Sequence, residues 1–588
     1  MTTPRAGPIA AAAAAAPSPP APAAAAAAAA PSPPVPAAAA GPGPAITTAT
    51  TTAPSFSFPP GTAHIDGAML EGGGQILRNA VALSGALGTP LAVTRIRAGR
   101  PKPGLSPQHA TGLRLAARIC GGGAGNAAAG TALLEGCEPR STAVRFAPGG
   151  RGGAGSPVAG EAYEADTGTA GSCTLLAQQA LPLLLLARRR RREGGEDEHA
   201  KEGGGGGQAE AEAKAVWSRV VMRGGTDASH APPVGYLQRV LTPTLNAWLA
   251  AAQEEEGGQQ QQPQQSQQQQ QQQQGSAERP LPPPISLSLA RRGFFPRGGG
   301  EAALRVRALA PGASLPPLTH LSERAAGGVA SVDVYAFSAG RVPPDAARRA
   351  AEAAAGPIRA ALAALAEQAA ADGRICPPPP SVRLHTEHLP AGSDLAVGDG
   401  AGITCVAAIA AAASPDGGPG GGGRRPPPQL LGSSASGERG LRAEDMGAAC
   451  GRALARQLCS GCAADEWLAD QVVVLAALAG GGGRAGGGGG GQGRPSRVLC
   501  AAPLSLHART AVAVAEQVTA AWAANLGGAE GGHKTVRGAQ FRLVPVEGSR
   551  ERAAAAARRA GFAYEAGEPG SEGLVLLECH GVGARAGG

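Results

Sequence analysis

The chain has 588 residues and a formal charge of +8, with Lys only at 102, 201, 214 and 534, so Arg supplies almost all of its positive charge. No apolar run reaches the roughly 20 residues that span a bilayer, and aromatics make up 3%, which argues against a general RNA-binding scaffold built on aromatic and basic surfaces. Ten cysteines are scattered without the spacing of a small disulfide framework, which points to a reducing compartment.

Residues 1–60 are almost wholly Ala, Pro, Ser and Thr, with Arg5 as their only charge. Such a segment has too little large apolar surface to offset its ordering entropy, so disorder is expected. The same expectation covers the charged, glycine-rich 188–213, the glutamine-rich 253–283, the Gly/Pro stretch 414–428 and the glycine run 480–493. Roughly 400 residues remain to fold, which suits two or three domains.

The first informative stretch is "HIDGAMLEGGGQILRNA", residues 64–80. Three glycines stand between an acid and an apolar run, where a strand should pass into a helix. Such a turn lets main-chain N–H groups approach a phosphate, but the Gly-Lys-Ser/Thr ending of a nucleotide-binding P-loop is missing. Arg78 lies one helical turn beyond Gly74, so its guanidinium reaches back; Glu71 offers a carboxylate to a divalent cation. Further on, "LAVTRIRA" reads as a strand. "RIRAGRPKPGLSPQH" then gathers Arg95, Arg97, Arg100, Lys102, Gln108 and His109. Arg97 and Arg100, flanking a glycine, suit phosphates gripped from two sides.

A rhythm of strand, Gly-containing turn, apolar helix and second helix follows. "ADTGTAGSCTLLAQQALPLLLLA" and "APPVGYLQRVLTPTLNAWLAA" form one such pair, and "AADEWLADQVVVLAALAGG" supplies a later helix. Leu468, Val472, Leu475 and Leu478 fall at helical spacing there. "ISLSLA" and "FRLVPVEG" read as strands. The reading is an α/β (α+β) protein of repeated units. Residues 312–430 break the rhythm: "VASVDVYAFSA", an Ala-rich helix at 345–372 and "GITCVAAIAAAA" make a small inserted α/β module. The organisation expected is a disordered 1–60, a core in two parts at 61–311 and 431–588, and the inserted 312–430. "CSGC" at 459–462 has no second Cys pair at zinc spacing, so Cys459 and Cys462 are read as packing residues near a helix end. "HTEH" at 385–388 lacks a third metal ligand nearby.

"DGAMLEGGGQILRNAVALSGALG" followed by "RIRAGRPKPGLSPQHATGLR" resembles the N-terminal signature of the RNA 3′-terminal phosphate cyclases. The resemblance continues in family order through "EADTGTAGSCTLLAQ", "GGTDASHAPPVGYLQRVLTPTL", "RRGFFPRGGGEA", "ADEWLADQVVVLAALAG" and "LSLHARTAVAVAEQ", from about residue 64 to 523. It implies a large domain of three repeated two-helix/four-strand units with a smaller inserted α/β domain. It implies a ligase that uses ATP and a divalent metal (Mg or Mn) to turn an RNA 3′-phosphate into a 2′,3′-cyclic phosphodiester, through a covalent histidyl-AMP. His507 falls in the nucleophile block. Glu71 would help place the metal; Arg78, Arg97, Arg100 and Gln108 would hold phosphates of ATP or the RNA end. Gln178 and Pro232 match positions lining the nucleotide pocket, Trp467 stands where a ring could stack on adenine, and Asp470 is a further polar candidate. Nucleus is the expected compartment, by the same resemblance. The alternative is the non-catalytic, cyclase-like branch of ribosome assembly, which lacks the nucleophile; His507, Arg78 and Arg97 favour the enzyme.

Overall fold

A computed structural model describes residues 60–121, 132–149, 157–189, 216–258, 282–374, 378–411, 427–480, 494–527 and 537–585. The chain divides into Met1–Ala53, all outside these residues, and a compact unit Pro54–Gly588 that carries the fold. The disorder expected of 1–60 and of most of the other low-complexity tracts falls outside the described residues. At two of their described edges regular structure has formed. Arg188–Arg189 is a short strand, and a helix expected to stop before residue 253 runs on to Gly258, because "AAAQEEE" consists of good helix formers.

The class is mixed α/β, as read from the sequence. In the first unit, β1 (Ala63–Asp66) leads through α1 (Gly74–Leu87) to β2 (Leu91–Thr94), then through α2 (Pro107–Gly121) to β3 (Leu133–Glu135) and β4 (Val144–Ala147). β1 and β2 are parallel, as a helical crossover requires, and the sheet order is β1-β2-β4-β3. The strand expected over "LAVTRIRA" stops at Thr94: Arg95 and Arg97 take positive φ, 52° and 53°, which a ladder cannot accommodate.

The next unit repeats this order. A small ladder pairs β5 (Val158–Ala159) with β7 (Arg188–Arg189). β6 (Ala162–Asp166) passes through α3 (Cys173–Leu185) to the parallel β8 (Trp217–Gly224). A turn of helix Val234–Tyr236 and a π-turn Leu237–Leu241 lead into α4 (Thr242–Gly258), then β9 (Ile285–Gly293) and β10 (Gly300–Arg307). The order is again first, second, fourth, third, with a short edge strand added.

A third instance is split. Residues 315–321 run beside β16 (Ser496–Ala501): Arg497 N–H donates to Leu318 O and Leu499 N–H to Leu321 O. α7 (Glu466–Leu478) and α8 (Leu506–Gly527) flank β16; β17 (Gln540–Pro545), α9 (Ser549–Arg559) and β18 (Leu574–His580) complete it, with β18 between β16 and β17. Between the extended segment 315–321 and the rest lies a sheet of its own, ordered β12 (Val382–Pro390), β11 (Val329–Gly340), β14 (Gly400–Ile409), β15 (Gln429–Ser436). The edge strand β13 (Ala396–Val397) joins β9 instead. α5 (Asp345–Ala371) and α6 (Ala443–Ser460) cover one face of that sheet, burying Val332, Val334, Ala350, Ala354 and Leu454. β15 crosses the boundary expected at residue 430, and α6, expected in the last repeat, packs here, because its apolar stripe of Met446, Cys450, Leu454 and Leu458 meets α5 and this sheet. No helix among the described residues is long and apolar enough to cross a membrane.

Candidate active site

The glycine turn after β1 is shaped by what approaches it. A Cβ at Gly73 would lie 1.9 Å from Glu71 Oε1, and one at Gly74 would lie 2.3 Å from His109 Nε2. Glycine here lets a carboxylate fold back over the turn and an imidazole descend onto it. Arg100 donates to Glu71 Oε1 at 2.7 Å and to the Glu71 carbonyl at 2.8 Å, pinning the acid. The other carboxylate oxygen, Oε2, is buried with no hydrogen-bond partner. The Glu71 N–H donates to Thr510 Oγ1 at 3.2 Å, tying the turn to α8 three residues beyond His507.

His507 stands accessible at the start of α8. Its Nδ1 lies 2.6 Å from Gln75 Oε1. An amide oxygen only accepts, so Nδ1 carries the proton and Nε2 keeps its lone pair. The amide is oriented from behind, where Gln75 Nε2 donates to Asp470 Oδ2 at 3.4 Å. Partial burial lowers the His507 pKa; Arg78, Arg100 and His230 push the same way and Glu71 opposes them. The ring is therefore neutral at neutral pH.

Arg78 follows Gln75 by three residues, on the same face of α1. Burial lowers its pKa, while Asp470 and Glu71 favour its charge. It lies between two small cavities. One is lined by Gln75, Asn79, Gln178, Asp470 and Gln471, the other by Gln108 and His109. In the first, Asn79 Nδ2, Gln178 Nε2, Asp470 Oδ1 and Gln471 Oε1 are buried without partners. A cluster of buried, unpaired polar atoms is uncommon in a folded protein, and a bound ligand would satisfy it. Burial pushes the Asp470 carboxyl up to about 8 against the pull of Arg78. His109 is driven down to about 3, by burial first and then by Arg78 and Arg97. The Ser106 N–H donates to its Nδ1, so its Nε2–H faces the glycine turn.

The structure thus gathers Glu71, Arg78, Arg100, Gln108, Gln178, Asp470 and His507. Arg97 is partly committed: its Nη1 donates to the Gly104 carbonyl at 3.1 Å, bracing the turn that carries it. Gln108 Oε1 accepts from the Ser172 N–H at the start of α3, leaving its amide NH₂ for other use. Pro232 contributes its carbonyl to Thr174 Oγ1, and the Trp467 ring packs half-buried against the main core; neither lines the two cavities. Gln75, Asn79 and Gln471 were not singled out from the sequence, and His109 was named there without a role. A signal existed, since Gln75, Arg78 and Asn79 put one polar stripe at i, i+3 and i+4 on an otherwise apolar helix.

Among the described residues there is no group of three or more His, Cys, Asp or Glu placed to hold a metal. Cys459 and Cys462 are buried thiols, pushed up to about 12 and about 11 by burial. His385 and His388 point to opposite faces of β12, one to Asp333 and the other to Ser338. The unpaired Glu71 Oε2 does fit a magnesium-type ion, which commonly takes one or two carboxylates and completes its shell with phosphate and water.

The family model for RNA 3′-terminal phosphate cyclase matches residues 69–256 and 256–523. The chain belongs to the RNA 3′-terminal phosphate cyclase family. A relative of that name from Ralstonia nicotianae is 31% identical over 416 residues, 71% of this chain and 84% of its own. One from Drosophila melanogaster is 29% identical over 462 residues, covering 77% and 90% of the two chains. Every residue gathered around this cyclase-family turn, from Glu71 to His507, lies inside the matched span.

Proposed function

We propose that this chain converts an RNA 3′-terminal phosphate to a 2′,3′-cyclic phosphodiester at the expense of ATP, with His507 as the nucleophile. The observation that carries the reading is the hydrogen bond from His507 Nδ1 to Gln75 Oε1, backed by Asp470. It fixes the tautomer whose Nε2 lone pair faces outward on a neutral ring.

In the first step Nε2 attacks the α-phosphorus of ATP. A P–N bond forms, the bond to the bridging oxygen breaks, and pyrophosphate leaves. An oxygen of the RNA 3′-phosphate then attacks that phosphorus; the P–N bond breaks and the imidazole returns to neutrality. Finally the neighbouring 2′-hydroxyl attacks the terminal RNA phosphorus, loses its proton to water, and expels AMP. Because this last step is intramolecular, positioning alone supplies an effective molarity of about 10⁵ M or more, so the protein needs cations over the phosphates more than a strong base. Arg78, held charged in a buried setting between the two cavities, is that cation; Arg100 holds Glu71 in place. A divalent ion at Glu71 would add charge neutralisation on the phosphates. The unpaired amides of Asn79, Gln178 and Gln471 offer donors and acceptors for the edge of a base.

Protein given α-labelled ATP and magnesium or manganese should acquire an acid-labile, alkali-stable label, as a phosphoramidate does. His507→Ala should abolish it, and a fully labelled His507→Ala protein would overturn the assignment.

A further inference from the structure

The chemistry above uses the two small cavities beside Arg78; a third, of ≈ 200 Å³, has no part in it. It lies between the helical turn at Val234–Tyr236 and the face of the β11–β15 sheet that α5 and α6 leave uncovered. Its floor is aromatic. Tyr335 and His385 are partners across the parallel β11–β12 pair, their rings stacked with centroids 4.5 Å apart and planes 12° from parallel. The Arg239 guanidinium lies 4.0 Å from the Tyr335 ring centre, and two residues along the strand Arg292 lies 3.7 Å from that of Phe337. The His385 side chain remains 46% exposed.

Neighbouring positions on the same strand, Val332, Val334 and Ala336, are apolar and buried, as a sheet covered on one face should be. On the opposite face Val406 and Leu430 pack into the main core and Phe337 packs against Phe294 and Leu389, while around Tyr335 and His385 the β11–β12 pair carries flat rings and guanidinium groups instead of aliphatic side chains. Its charges nearly balance: Arg292 is paired with Asp227, Arg383 and His385 with Asp333, and Glu387 stands beside them. Among the described residues, Arg239 is the cation left over these rings without an ion pair. With His385 on one face of Tyr335 and Arg239 over the other, the π-face left open is the outer one of His385. A flat ring at near-neutral charge takes a base by stacking, with little help from phosphate attraction.

The cavity adjoins the candidate active site through one loop. Gly225 pairs with Ser172, whose N–H reaches Gln108. His230 contributes to the field at His507, and Asp227 and Pro233 line the aromatic cavity. A strand whose 3′ end lay at His507 could follow this loop onto the rings.

We propose that the exposed face of His385, backed by Tyr335 and Arg239, is a stacking platform for a base upstream of the RNA 3′ end. The direction of the strand rests on the cyclase reading; the binding of single-stranded RNA does not. The scarcity of aromatics excludes a surface made of such contacts throughout, and this is a single local one.

The test uses the full chain without ATP and fluorescence anisotropy with single-stranded 3′-phosphate oligoribonucleotides. His385→Ala should weaken binding of an oligomer of about ten nucleotides by about fivefold or more. It should leave the salt dependence of that binding unchanged, leave a competing dinucleotide unaffected, and spare self-adenylylation. His385→Phe, which keeps a ring, should restore the affinity. Equal binding of the long oligomer by wild type and His385→Ala, an equal loss for the dinucleotide, or no rescue by Phe would each overturn the platform. A protein that never labels with ATP, yet shows the length-dependent loss, would refute the cyclase chemistry and leave the platform standing.

Discussion

Asp465 and Asp470 sit five residues apart at the start of one helix, and both are withdrawn from bulk water, yet the protein treats them oppositely. Asp465 accepts from the Tyr236 hydroxyl at 2.6 Å, the Gly432 N–H at 2.8 Å and the Leu468 N–H at 2.9 Å. It caps α7 and ties it to β15 and the Val234–Tyr236 turn, and with those bonds offsetting burial its pKa rises only to about 6. Asp470 has one long bond at 3.4 Å and a buried oxygen with no partner, and rises to about 8. A fully bonded carboxylate holds architecture together. An under-bonded one beside an arginine and a nucleophile candidate marks a place where something else is meant to bind.

Breaking the well-bonded acid should cost most. Asp465→Ala strands three buried donors, so unfolding by urea should show a loss of about 3–5 kcal/mol; a loss below about 1 kcal/mol would mean the cap is incidental. Asp470→Asn should act on chemistry. An asparagine can present its NH₂ to Gln75, which then turns its own NH₂ toward His507 and favours the wrong tautomer. The rate of self-adenylylation should fall by about 10- to 100-fold, with the far-ultraviolet spectrum unchanged.

The smallest effect is on stability. At pH 6 the folded Asp470 is protonated and nearly isosteric with asparagine, so Asp470→Asn should change stability by no more than about 1 kcal/mol. Its folded pKa lies above its unfolded one, so the native state binds the extra proton between them. That contribution is present below the ordinary carboxylate range and is lost as pH rises toward about 8. Wild-type stability should fall across pH 4 to 8, and the variant should show a flatter profile in denaturant titrations. Equal slopes would show that Asp470 is ionised in the native protein.

From sequence, the two acids were barely distinguishable: both stand in "ADEWLADQ". What separates them is the identity of distant partners, Tyr236 and Gly432 for one and Gln75 and Arg78 for the other. The glycine turn was legible because its reasons are local, namely the position of Glu71 before it and of Arg78 one turn after. Gln75 was not singled out, although it lies in the same stretch, because its role is set by a histidine 432 residues away. Arg97 and Arg100 were read as free to grip phosphate; in the folded chain Arg97 braces Gly104 and Arg100 pins Glu71. Spacing reveals which residues can be neighbours along a helix, but not which hydrogen bonds they will already have made.

The split third unit has a topological consequence. Arg324, just after the segment 315–321, donates to the carbonyls of Leu458 and Cys462, at the far end of the stretch that follows it. Departure and return are therefore stapled side by side, as at the neck of a loop. A short linker could close the neck while β16, β17 and β18 keep their hydrogen bonds, at the loss of the β13–β9 pairing and of the Gly432 N–H to Asp465. The shortened chain would retain His507 and the glycine turn and lose Tyr335 and His385, so the two sites could be assayed apart.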